Sequence, residues 1–371
     1  MTEEQYQCIG CGATIQTHAP GEIGYLPASA LMKGLEKEQF YCQRCFRLRN
    51  YNELQDIEIS DDVFLDRLHE IQNDEDAYII NLIDIFDVEG SLIDGLSRFI
   101  GHQPFAIVAN KVDLLPHSTK LPRVTHWLRE VVAQHGLKPE EVLLISASQS
   151  KSLDALIDLI REKVDHHNIY IVGVTNVGKS TLINQLIHAF GGEKEVITTS
   201  NQPGTTLDLI YIPLTDHTGI VDTPGIIRRT QMAHYVDRES YKTVMPTKTI
   251  KPMSFQLNPG QTIFMGGLGR VDYVSGPKMA LTIYASRDLY LHRTKLDKAD
   301  EFYQKHVGEL LIPPTKEQSV EFPPLKRQSF KLGQDQDIAI SGIGWLTANQ
   351  DIQLDIWVPA GIQLSKRQSI I

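Results

Sequence analysis

A glycine-rich loop between an apolar run and a helix-like segment constrains this sequence most. Residues 173–180 read Gly-Val-Thr-Asn-Val-Gly-Lys-Ser and match the pattern G-x-x-x-x-G-K-[S/T]. The run NIYIVGV leads into the loop and TLINQLIHAF follows it, as expected for a strand and a helix. In such a loop, backbone N–H groups and the positive end of the helix dipole surround phosphate groups. The sequence therefore predicts a nucleotide-binding strand–loop–helix unit.

The residue types in this loop indicate their roles. Lys179 is suited to neutralise the charge of the β- and γ-phosphates, and the Ser180 hydroxyl is a ligand for Mg²⁺. Because phosphoryl transfer depends on charge neutralisation, we also predict a catalytic role for Lys179. The other predicted nucleotide contacts of the loop are Thr175, Asn176, Val177, Gly178 and Thr181.

A second motif, Asn110-Lys111-Val112-Asp113, follows the apolar run FAIVA and indicates a preference for guanine. The Asp113 carboxylate can accept hydrogen bonds from the ring N–H and the exocyclic amine of guanine, a pair of donors that adenine lacks. We predict that Asn110 bonds the base edge and braces the loop, while the Lys111 stem stacks along the ring. Adenine nucleotides should therefore bind poorly.

The triplet Ser146-Ala147-Ser148 follows another apolar run, VLLI. Like the preceding motif, it comes at the end of a predicted strand, where α/β sheets bind ligands. We expect the backbone amide of Ala147 to face the guanine carbonyl oxygen. Ser146 is predicted to contact the nucleotide beside it.

Two later segments have the residue types of γ-phosphate sensors. The sequence D-T-P-G at residues 222–225 follows the run GIV. We predict that Asp222 holds the Mg²⁺ shell through water and that the Gly225 amide senses the γ-phosphate. Thr206 is predicted to close over Mg²⁺ when GTP is bound, with Thr205 as the alternative. Thr206 and Gly225 complete the set of predicted catalytic residues.

Two further positions bear on the rate of hydrolysis. Ile226 occupies the place where Ras-like proteins carry the glutamine that orients the attacking water. An apolar side chain cannot do this, so we expect a slow intrinsic rate, on the order of 10⁻⁴–10⁻² s⁻¹. Asn176 matches an asparagine that binds a potassium ion beside the phosphates in some GTPases. A K⁺ ion there would neutralise transition-state charge, and a loop-stabilising asparagine is the alternative.

Strand and helix patterns alternate from about residue 77 to residue 227. This alternation predicts an α/β fold with a mainly parallel, doubly wound sheet, including one helix at residues 91–100. Residues 61–71 have helical spacing as well. After residue 228, strand-like segments alternate with Gly, Pro and Asn turns around one helix, which predicts an α+β domain. We expect a cysteine module at residues 1–55, a GTPase domain at 56–227 and an RNA- or protein-binding domain at 228–371.

All four cysteines occur in two C-x-x-C pairs, Cys8 with Cys11 and Cys42 with Cys45. Such pairs predict a tetrahedral Zn²⁺ site, with a structural role because all four positions are closed to substrate. Disulfides are disfavoured in a reducing compartment. RNA or protein contact is one interpretation of the neighbouring basic residues, Arg44, Arg47 and Arg49.

Charge and hydropathy narrow the function classes. The N-terminal sequence lacks the layout of a signal peptide and no run of 18 apolar residues occurs, so we expect a cytoplasmic protein without a membrane span. The net charge is −10, but residues 229–371 hold 18 basic and 14 acidic residues. This basic excess is compatible with phosphate-backbone contact or with ordinary surface variation. Trp345 and Trp357 are expected in the core, with base stacking as the alternative. Lys366-Arg367 is expected as solvated charge or the edge of an RNA-binding face.

The order of the motifs is unusual, because the base-reading motif precedes the phosphate-binding loop. In this respect the sequence resembles the circularly permuted GTPases, most closely the YqeH type of bacterial ribosome-assembly GTPases. The resemblance extends to the cysteine pairs, to IDIFDVEGS at residues 83–91 and to SGIGWL at residues 341–346. It implies a role in maturation of the small ribosomal subunit, with the subunit or its precursor and rRNA as partners.

Two other functions compete with this interpretation. A GTP-gated binding module for other RNAs or proteins, with incidental hydrolysis, would carry the same motifs. A zinc-finger DNA regulator is disfavoured by the acidic front half and by the lack of a recognition helix beside the cysteines. The family is also similar to plant and mitochondrial proteins once associated with nitric oxide synthesis, but the sequence indicates no haem, flavin or oxygen chemistry.

Overall fold

A computed structural model of the chain describes residues 6–9, 13–20, 22, 24–37, 40–51, 58–59, 71–93, 95–190, 210–223, 225–226 and 228–371. The chain divides into two compact units. The first comprises residues 1–84, 91–112 and 129–227, and the second comprises residues 85–90, 113–128 and 228–371. Within the described ranges, no helix is both long and apolar enough to cross a bilayer.

The first unit is built on a mainly parallel sheet. The strands up to residue 226 are β1 (Glu58–Ile59), β2 (Ala77–Asp84), β3 (Phe105–Asn110), β4 (Glu141–Leu144), β5 (Asn168–Val172), β6 (Ile210–Pro213), β7 (Gly219–Asp222) and β8 (Gly225–Ile226). The sheet order is β4-β3-β2-β5-β7-β6, in which β6 at one edge is antiparallel to β7 and the other neighbours are parallel. Every residue of β2 and β3 is buried, as expected for strands covered on both faces. The short strands β1 and β8 pair in parallel outside this sheet.

The helices in this part of the chain alternate with the strands. They are α1 (Ala28–Lys37), α2 (Gln43–Tyr51), α3 (Val88–Ser91), α4 (Leu96–Ile100), α5 (Leu121–Gln134), α6 (Asp154–Val164) and α7 (Lys179–Phe190). Helix α6 illustrates why they form, because its buried residues recur at spacings of three or four: Leu156, Leu159, Ile160 and Val164. Burial of such an apolar face stabilises a short helix more than intrinsic propensity does. The mixed α/β character predicted from the alternation is confirmed.

The prediction of one helix over residues 91–100 is wrong. Helix α3 ends at Ser91, and α4 begins only at Leu96. Gly95 precedes α4 with φ at 69°, in the left-handed region that a right-handed helix does not enter. The helical segment predicted at residues 61–71 lies outside the described residues except for its last position.

The second unit contains two antiparallel sheets of five strands. Its strands are β9 (Met253–Leu257), β10 (Gln261–Met265), β11 (Gly269–Ser275), β12 (Met279–Ala285), β13 (Leu291–Lys295), β14 (Val307–Gly308), β15 (Leu311–Thr315), β16 (Leu325–Leu332), β17 (Gln336–Ile340), β18 (Gly344–Ala348), β19 (Ile352–Pro359) and β20 (Leu364–Gln368). The sheet orders are β13-β10-β11-β19-β16 and β20-β17-β18-β12-β9, and one hydrophobic core includes residues of both sheets. Two short helices, α8 (Arg238–Val244) and α9 (Ala299–His306), interrupt the strands.

Two segments that carried the family resemblance meet in this second unit. Ser341 donates from Oγ to Oδ2 of Asp87 at 2.9 Å, and the rings of Phe86 and Trp345 lie 6.0 Å apart. A Cβ atom at Gly90 would lie 2.1 Å from Oγ of Ser341, so glycine is required there. Trp345 is 2% exposed, which confirms its predicted place in the core, whereas Trp357 is half-buried. These contacts give both segments a structural role.

Arg367 lies in a buried ionic group of the same unit. Its Nη1 lies 2.5 Å from Oε2 of Glu89, and its Nε lies 2.7 Å from Oδ1 of Asp337. The expectation of solvated or surface charge at Lys366-Arg367 is therefore wrong for Arg367, which is buried. Its pairing with two carboxylates satisfies the rule that buried charges need partners.

Candidate nucleotide site and cysteine cluster

The carboxyl ends of neighbouring parallel strands carry several of the predicted site residues. Asp84 ends β2, Asn110 ends β3 and Asp222 ends β7, while the glycine-rich loop follows β5. Asp84 is paired with Asn110 across the sheet, and Asp222 is paired with Ile171 in β5. Because parallel strands end on the same side, these side chains share one edge of the sheet, the edge at which α/β sheets bind ligands.

The backbone of the glycine-rich loop accepts few residue types. Asn176 and Gly178 have φ angles of 66° and 91°, in the left-handed region. A Cβ atom at Gly178 would lie 2.5 Å from Nδ2 of Asn110, and one at Gly173 would lie 2.7 Å from the carbonyl oxygen of Leu82. Both glycines therefore permit a close approach of the loop to the neighbouring strands.

Asn110 connects the glycine-rich loop with the later triplet at residues 146–148. Its Nδ2 donates to the carbonyl oxygen of Val177 at 2.8 Å, and its Oδ1 accepts from the backbone N–H of Ala147 at 2.8 Å. The side chain is almost fully buried. The predicted brace is thus present as hydrogen bonds on both sides, while the contact of Ala147 with a guanine carbonyl oxygen stays a prediction.

Lys111 forms hydrogen bonds with both the end of β2 and the glycine-rich loop. Its Nζ donates to Oδ2 of Asp84 and to the carbonyl oxygen of Asn176, each at 2.6 Å. The backbone of Lys111 has φ at 66°, which turns the chain sharply after β3. Sequence reasoning missed Asp84, although its place at the end of a buried strand was a usable signal. The predicted stacking of the Lys111 stem on a base stays a prediction.

Asp222 and Lys179 form a buried ion pair. Nζ of Lys179 lies 2.5 Å from Oδ1 of Asp222, with side-chain exposures of 2% and 0%. The next residue, Thr223, donates from Oγ1 to the carbonyl oxygen of Ile171 at 2.9 Å and fixes the end of β7 against β5. A carboxylate this buried requires a cationic partner, and the cation is the lysine of the glycine-rich loop.

A second cation reaches the same carboxylate. Arg44, in helix α2, donates from Nη2 to Oδ2 of Asp222. Arg44 is 5% exposed, so the surface contact suggested for it by sequence is wrong. Its Nε is also buried, and among the described residues no atom accepts a hydrogen bond from it. Sequence reasoning grouped Arg44 with the cysteines and gave no sign of Asp222, which is far away in the chain.

The other predicted site residues that the structure describes range from buried to exposed. Ser180 is buried in the first turn of α7, directly after Lys179. Asp113 lies half-buried in the 3₁₀ turn Val112–Leu114, and its carbonyl oxygen accepts from Oγ1 of Thr249 at 3.0 Å. Ser146, Val177 and Gly225 are buried, Thr175 is half-buried and Thr181 is exposed. Thr205, Thr206 and Cys11 lie outside the described residues, and their predicted roles stay predictions.

Three cysteines form a buried cluster beside the start of helix α2. The Sγ atoms of Cys8, Cys42 and Cys45 all lie within 4.8 Å of one another. The backbone N–H of Cys42 donates to Sγ of Cys8 at 3.2 Å. Zinc–sulfur bonds of about 2.3 Å in a tetrahedron place the sulfur atoms roughly 3.8 Å apart, so this cluster is compatible with zinc binding.

Two family models match the chain. A model described as a 50S ribosome-binding GTPase matches residues 168–255, and a model described as YqeH-like, C-terminal, matches residues 278–370. The first match spans β5, the glycine-rich loop and residues 222–225. The chain therefore contains a P-loop GTPase domain, which implies binding of GTP and GDP with Mg²⁺ and GTP hydrolysis in general.

Relatives match over most of the length. The chain is 46% identical over 370 residues to YqeH of Bacillus subtilis, which covers 99% of this chain and 100% of that protein. It is 29% identical over 392 residues to NO-associated protein 1 of Arabidopsis thaliana, covering 92% of this chain and 69% of the relative. GTPase Der of Methylococcus capsulatus is 31% identical over 185 residues, 45% of this chain and 36% of that protein.

Proposed function

Because this chain belongs to the YqeH family, we propose that it is a GTP-hydrolysing switch whose guanine-nucleotide motifs are circularly permuted. The observation that carries the proposal is the Asn110 side chain, which bonds both Val177 and Ala147. Through it, a motif that comes early in the chain and a loop that comes later contribute to one edge of the sheet. The GTPase model matches from residue 168 onward, after the Asn110 motif, which supports the same order.

At the phosphate end, we assign charge neutralisation to Lys179 and direct coordination of Mg²⁺ to Ser180, while Asp222 would hold the Mg²⁺ shell through water. The donors fit the ion, because Mg²⁺ prefers oxygen ligands and binds through few protein groups while keeping waters. A bound Mg²⁺ ion would supply positive charge that neutralises the charge developing on the phosphates. Thr206 and Gly225 complete the proposed γ-phosphate sensors.

At the base end, we assign guanine recognition to Asp113, with Asn110 and Lys111 holding the surrounding loops. The hydrogen bonds of Asn110 and the ion pair between Lys111 and Asp84 support this assignment, because they hold the two residues at the start of the motif. The N–H of Ala147 donates to Asn110 and would be shared with the guanine carbonyl oxygen, as in a three-centre hydrogen bond.

We further propose slow intrinsic hydrolysis, because position 226 offers isoleucine rather than a group that orients water. We also propose that Asn176, an exposed residue of the glycine-rich loop, holds a potassium ion near the phosphates. Potassium there would supply charge that an arginine finger supplies elsewhere. Activity in K⁺ buffer compared with Na⁺ buffer tests this point.

The cysteine cluster is proposed to hold a structural Zn²⁺ ion. Cys8, Cys42 and Cys45 would provide three thiolate ligands and Cys11 the fourth. The bound ion would supply cross-links between the turn near Cys8 and the start of α2. A cytoplasmic location, which we propose for the protein, keeps these thiols reduced.

As biological role, we propose assembly of the small ribosomal subunit, through binding to its precursor or to rRNA. Family membership supports a ribosomal role, and the description of the matching GTPase model names the 50S subunit. Sedimentation with purified 30S and 50S particles, in GTP and in GDP, separates the two subunits. GTPase rates measured with and without each particle complete the experiment.

The proposal predicts GTP-dependent co-sedimentation with 30S particles and faster hydrolysis in their presence. Preference for 50S particles would contradict the small-subunit role while leaving the switch function intact. Absence of binding and of acceleration with either particle, in any nucleotide state, would favour the rival function of a GTP-gated module for other RNAs or proteins.

A further inference from the structure

We infer that Arg44 couples the cysteine cluster to the loading of Mg²⁺ by competing with the ion for the Asp222 carboxylate. The inference rests on the proposed role of Asp222 in the Mg²⁺ shell and deepens it to a form of regulation. It assigns to the cysteine module a direct effect on the nucleotide site.

Competition follows from how the carboxylate is occupied. Oδ1 of Asp222 is bonded by Lys179 and Oδ2 by Arg44, so each oxygen faces a cation. Asp222 is fully buried, and the two cationic side chains are 2% and 6% exposed. Solvent screening between these charges is therefore weak. A divalent ion placed against the same carboxylate would be repelled by the guanidinium, so binding of one disfavours binding of the other.

Lys179 and Arg44 differ in what they can do when nucleotide and Mg²⁺ bind. Lys179 belongs to the glycine-rich loop and can exchange the carboxylate for phosphate oxygens. Arg44 is anchored elsewhere, between Cys42 and Cys45 at the start of α2. Its guanidinium must leave Oδ2 by a rotation of the side chain or by a shift of α2.

The contact between Arg44 and Asp222 can break at a small cost in free energy. Its buried Nε has no acceptor among the described residues, so this conformation leaves a polar N–H unsatisfied. An unsatisfied buried donor makes a conformation less stable than one with all donors paired. The paired and the released positions of Arg44 can therefore lie close in free energy, which a switch requires.

Coupling of this kind acts in both directions. Binding of Mg²⁺ and GTP weakens the hold of Asp222 on Arg44 and changes the environment of Cys42 and Cys45. Loss of zinc, which loosens the start of α2, in turn frees Asp222 for Mg²⁺. Linkage requires the two effects to be equal in free energy.

The experiment measures how much Mg²⁺ the full-length, zinc-loaded protein needs to bind a fluorescent GTP analogue. Arg44→Gln is compared with the wild type and with Arg47→Gln, a half-buried arginine three residues later in α2. We expect the half-saturating Mg²⁺ concentration to fall roughly tenfold in Arg44→Gln, a typical size for coupling between sites. Arg47→Gln should match the wild type. An unchanged Mg²⁺ requirement in Arg44→Gln overturns the inference.

A second experiment measures the same Mg²⁺ requirement after zinc has been removed with a chelator. Zinc removal should lower the Mg²⁺ requirement of the wild type towards that of Arg44→Gln and should not shift Arg44→Gln further. An equal shift in both proteins contradicts coupling through Arg44. If Arg44→Gln does not fold by circular dichroism, Arg44→Lys is measured instead: an intermediate requirement supports the inference and a wild-type value overturns it. A wild type that binds no GTP at any Mg²⁺ concentration refutes the proposed function, whatever the variants do.

Discussion

Gly178 determines how closely the phosphate-binding loop approaches Asn110. Its φ of 91° costs an L-residue about 1–2 kcal/mol. A Cβ atom there would lie 2.5 Å from Nδ2 of Asn110, the atom that donates to Val177. A side chain at this position therefore strains the backbone and displaces the group that joins the loop to β3.

Gly178→Ala should reduce GTP affinity by more than roughly tenfold, because the displaced Asn110 no longer positions the loop, and each 1.4 kcal/mol is tenfold. Gly136→Ala is the matched control. Gly136 also has a positive φ, of 73°, but a Cβ atom there has no neighbour within 4 Å. Isothermal titration with GTP should show a loss only for Gly178→Ala. Equal affinities of the two variants would contradict the role of the contact with Asn110.

The sequence predicted which residue types form the site, but it did not predict several of the side chains that these residues contact. Glycine, lysine and serine at fixed spacing have one dominant use in a strand–loop–helix unit. The pairing of Lys111 with Asp84 depends on the register between β2 and β3, and local sequence does not encode that register. The contact of Arg44 with Asp222 needs two distant segments to meet. The hydrophobic periodicity of a sequence does not predict a tertiary contact between two distant segments.

At the scale of elements, helix α8 is stabilised at its N-terminus by Asp237. The carboxylate Oδ1 accepts from the backbone N–H of Ser240 at 2.7 Å, one of the N–H groups that a helix leaves without an internal partner. The same hydrogen bond lowers the pKa of Asp237 below its ordinary value of 3.8. The cap therefore contributes stability in its charged form.

Asp237→Ala should lower the free energy of unfolding of the second unit by about 1 kcal/mol at neutral pH. Because the folded chain has the lower pKa, the contribution is complete above pH 3.8 and is lost as the pH falls through the folded value. Urea titrations at neutral and acidic pH test both statements. Asp237→Asn keeps an acceptor for Ser240 but lacks the charge, so it should retain only part of the stability. A variant difference that does not shrink in acid would contradict the charged cap.

The cysteine cluster joins two segments that are otherwise short, the turn near Cys8 and the start of α2. Cys45→Ser should reduce bound zinc from about one ion per chain and lower the melting temperature, since structural zinc contributes directly to folding. Inductively coupled plasma emission spectroscopy, on protein purified without added metal, measures the zinc content per chain. Arg47→Gln, on the same helix with all thiols intact, is the control. Full zinc content in Cys45→Ser would show that this thiol is not a ligand.

The presence of helices and strands was easier to predict from the sequence than the pairing of the strands in sheets. In the first unit the buried strands are largely apolar runs, and apolar residues recur along the helices with a 3.6-residue period, so the sequence predicts both types of element. In the second unit, alternation along β19 identifies a strand, with burial of every second residue. Its neighbour β11 lies far away in the chain, with Asp272 opposite Asp355, and only tertiary packing selects that partner.

At the scale of the whole molecule, we propose that the order of the nucleotide-binding motifs separates this chain from an ordinary G domain. The strand that ends in Asn110 lies two positions from β5 in the sheet, with β2 between them, although it comes earlier in the chain. Neighbourhood in the sheet, not order in the sequence, thus places Asn110 and Lys111 beside the phosphate-binding loop. We propose that the resulting site is specific for guanine.

The nucleotide preference of Asp113→Asn tests this central claim most directly. Asparagine offers a donor where aspartate accepts, so affinity for GTP should fall by roughly 10²-fold or more, while xanthosine triphosphate, which carries a carbonyl instead of the amine, should bind better than GTP. Asp158→Asn on the exposed side of α6 is the matched control and should behave as the wild type. Unchanged GTP affinity in Asp113→Asn, with no gain for the xanthosine nucleotide, would contradict the account.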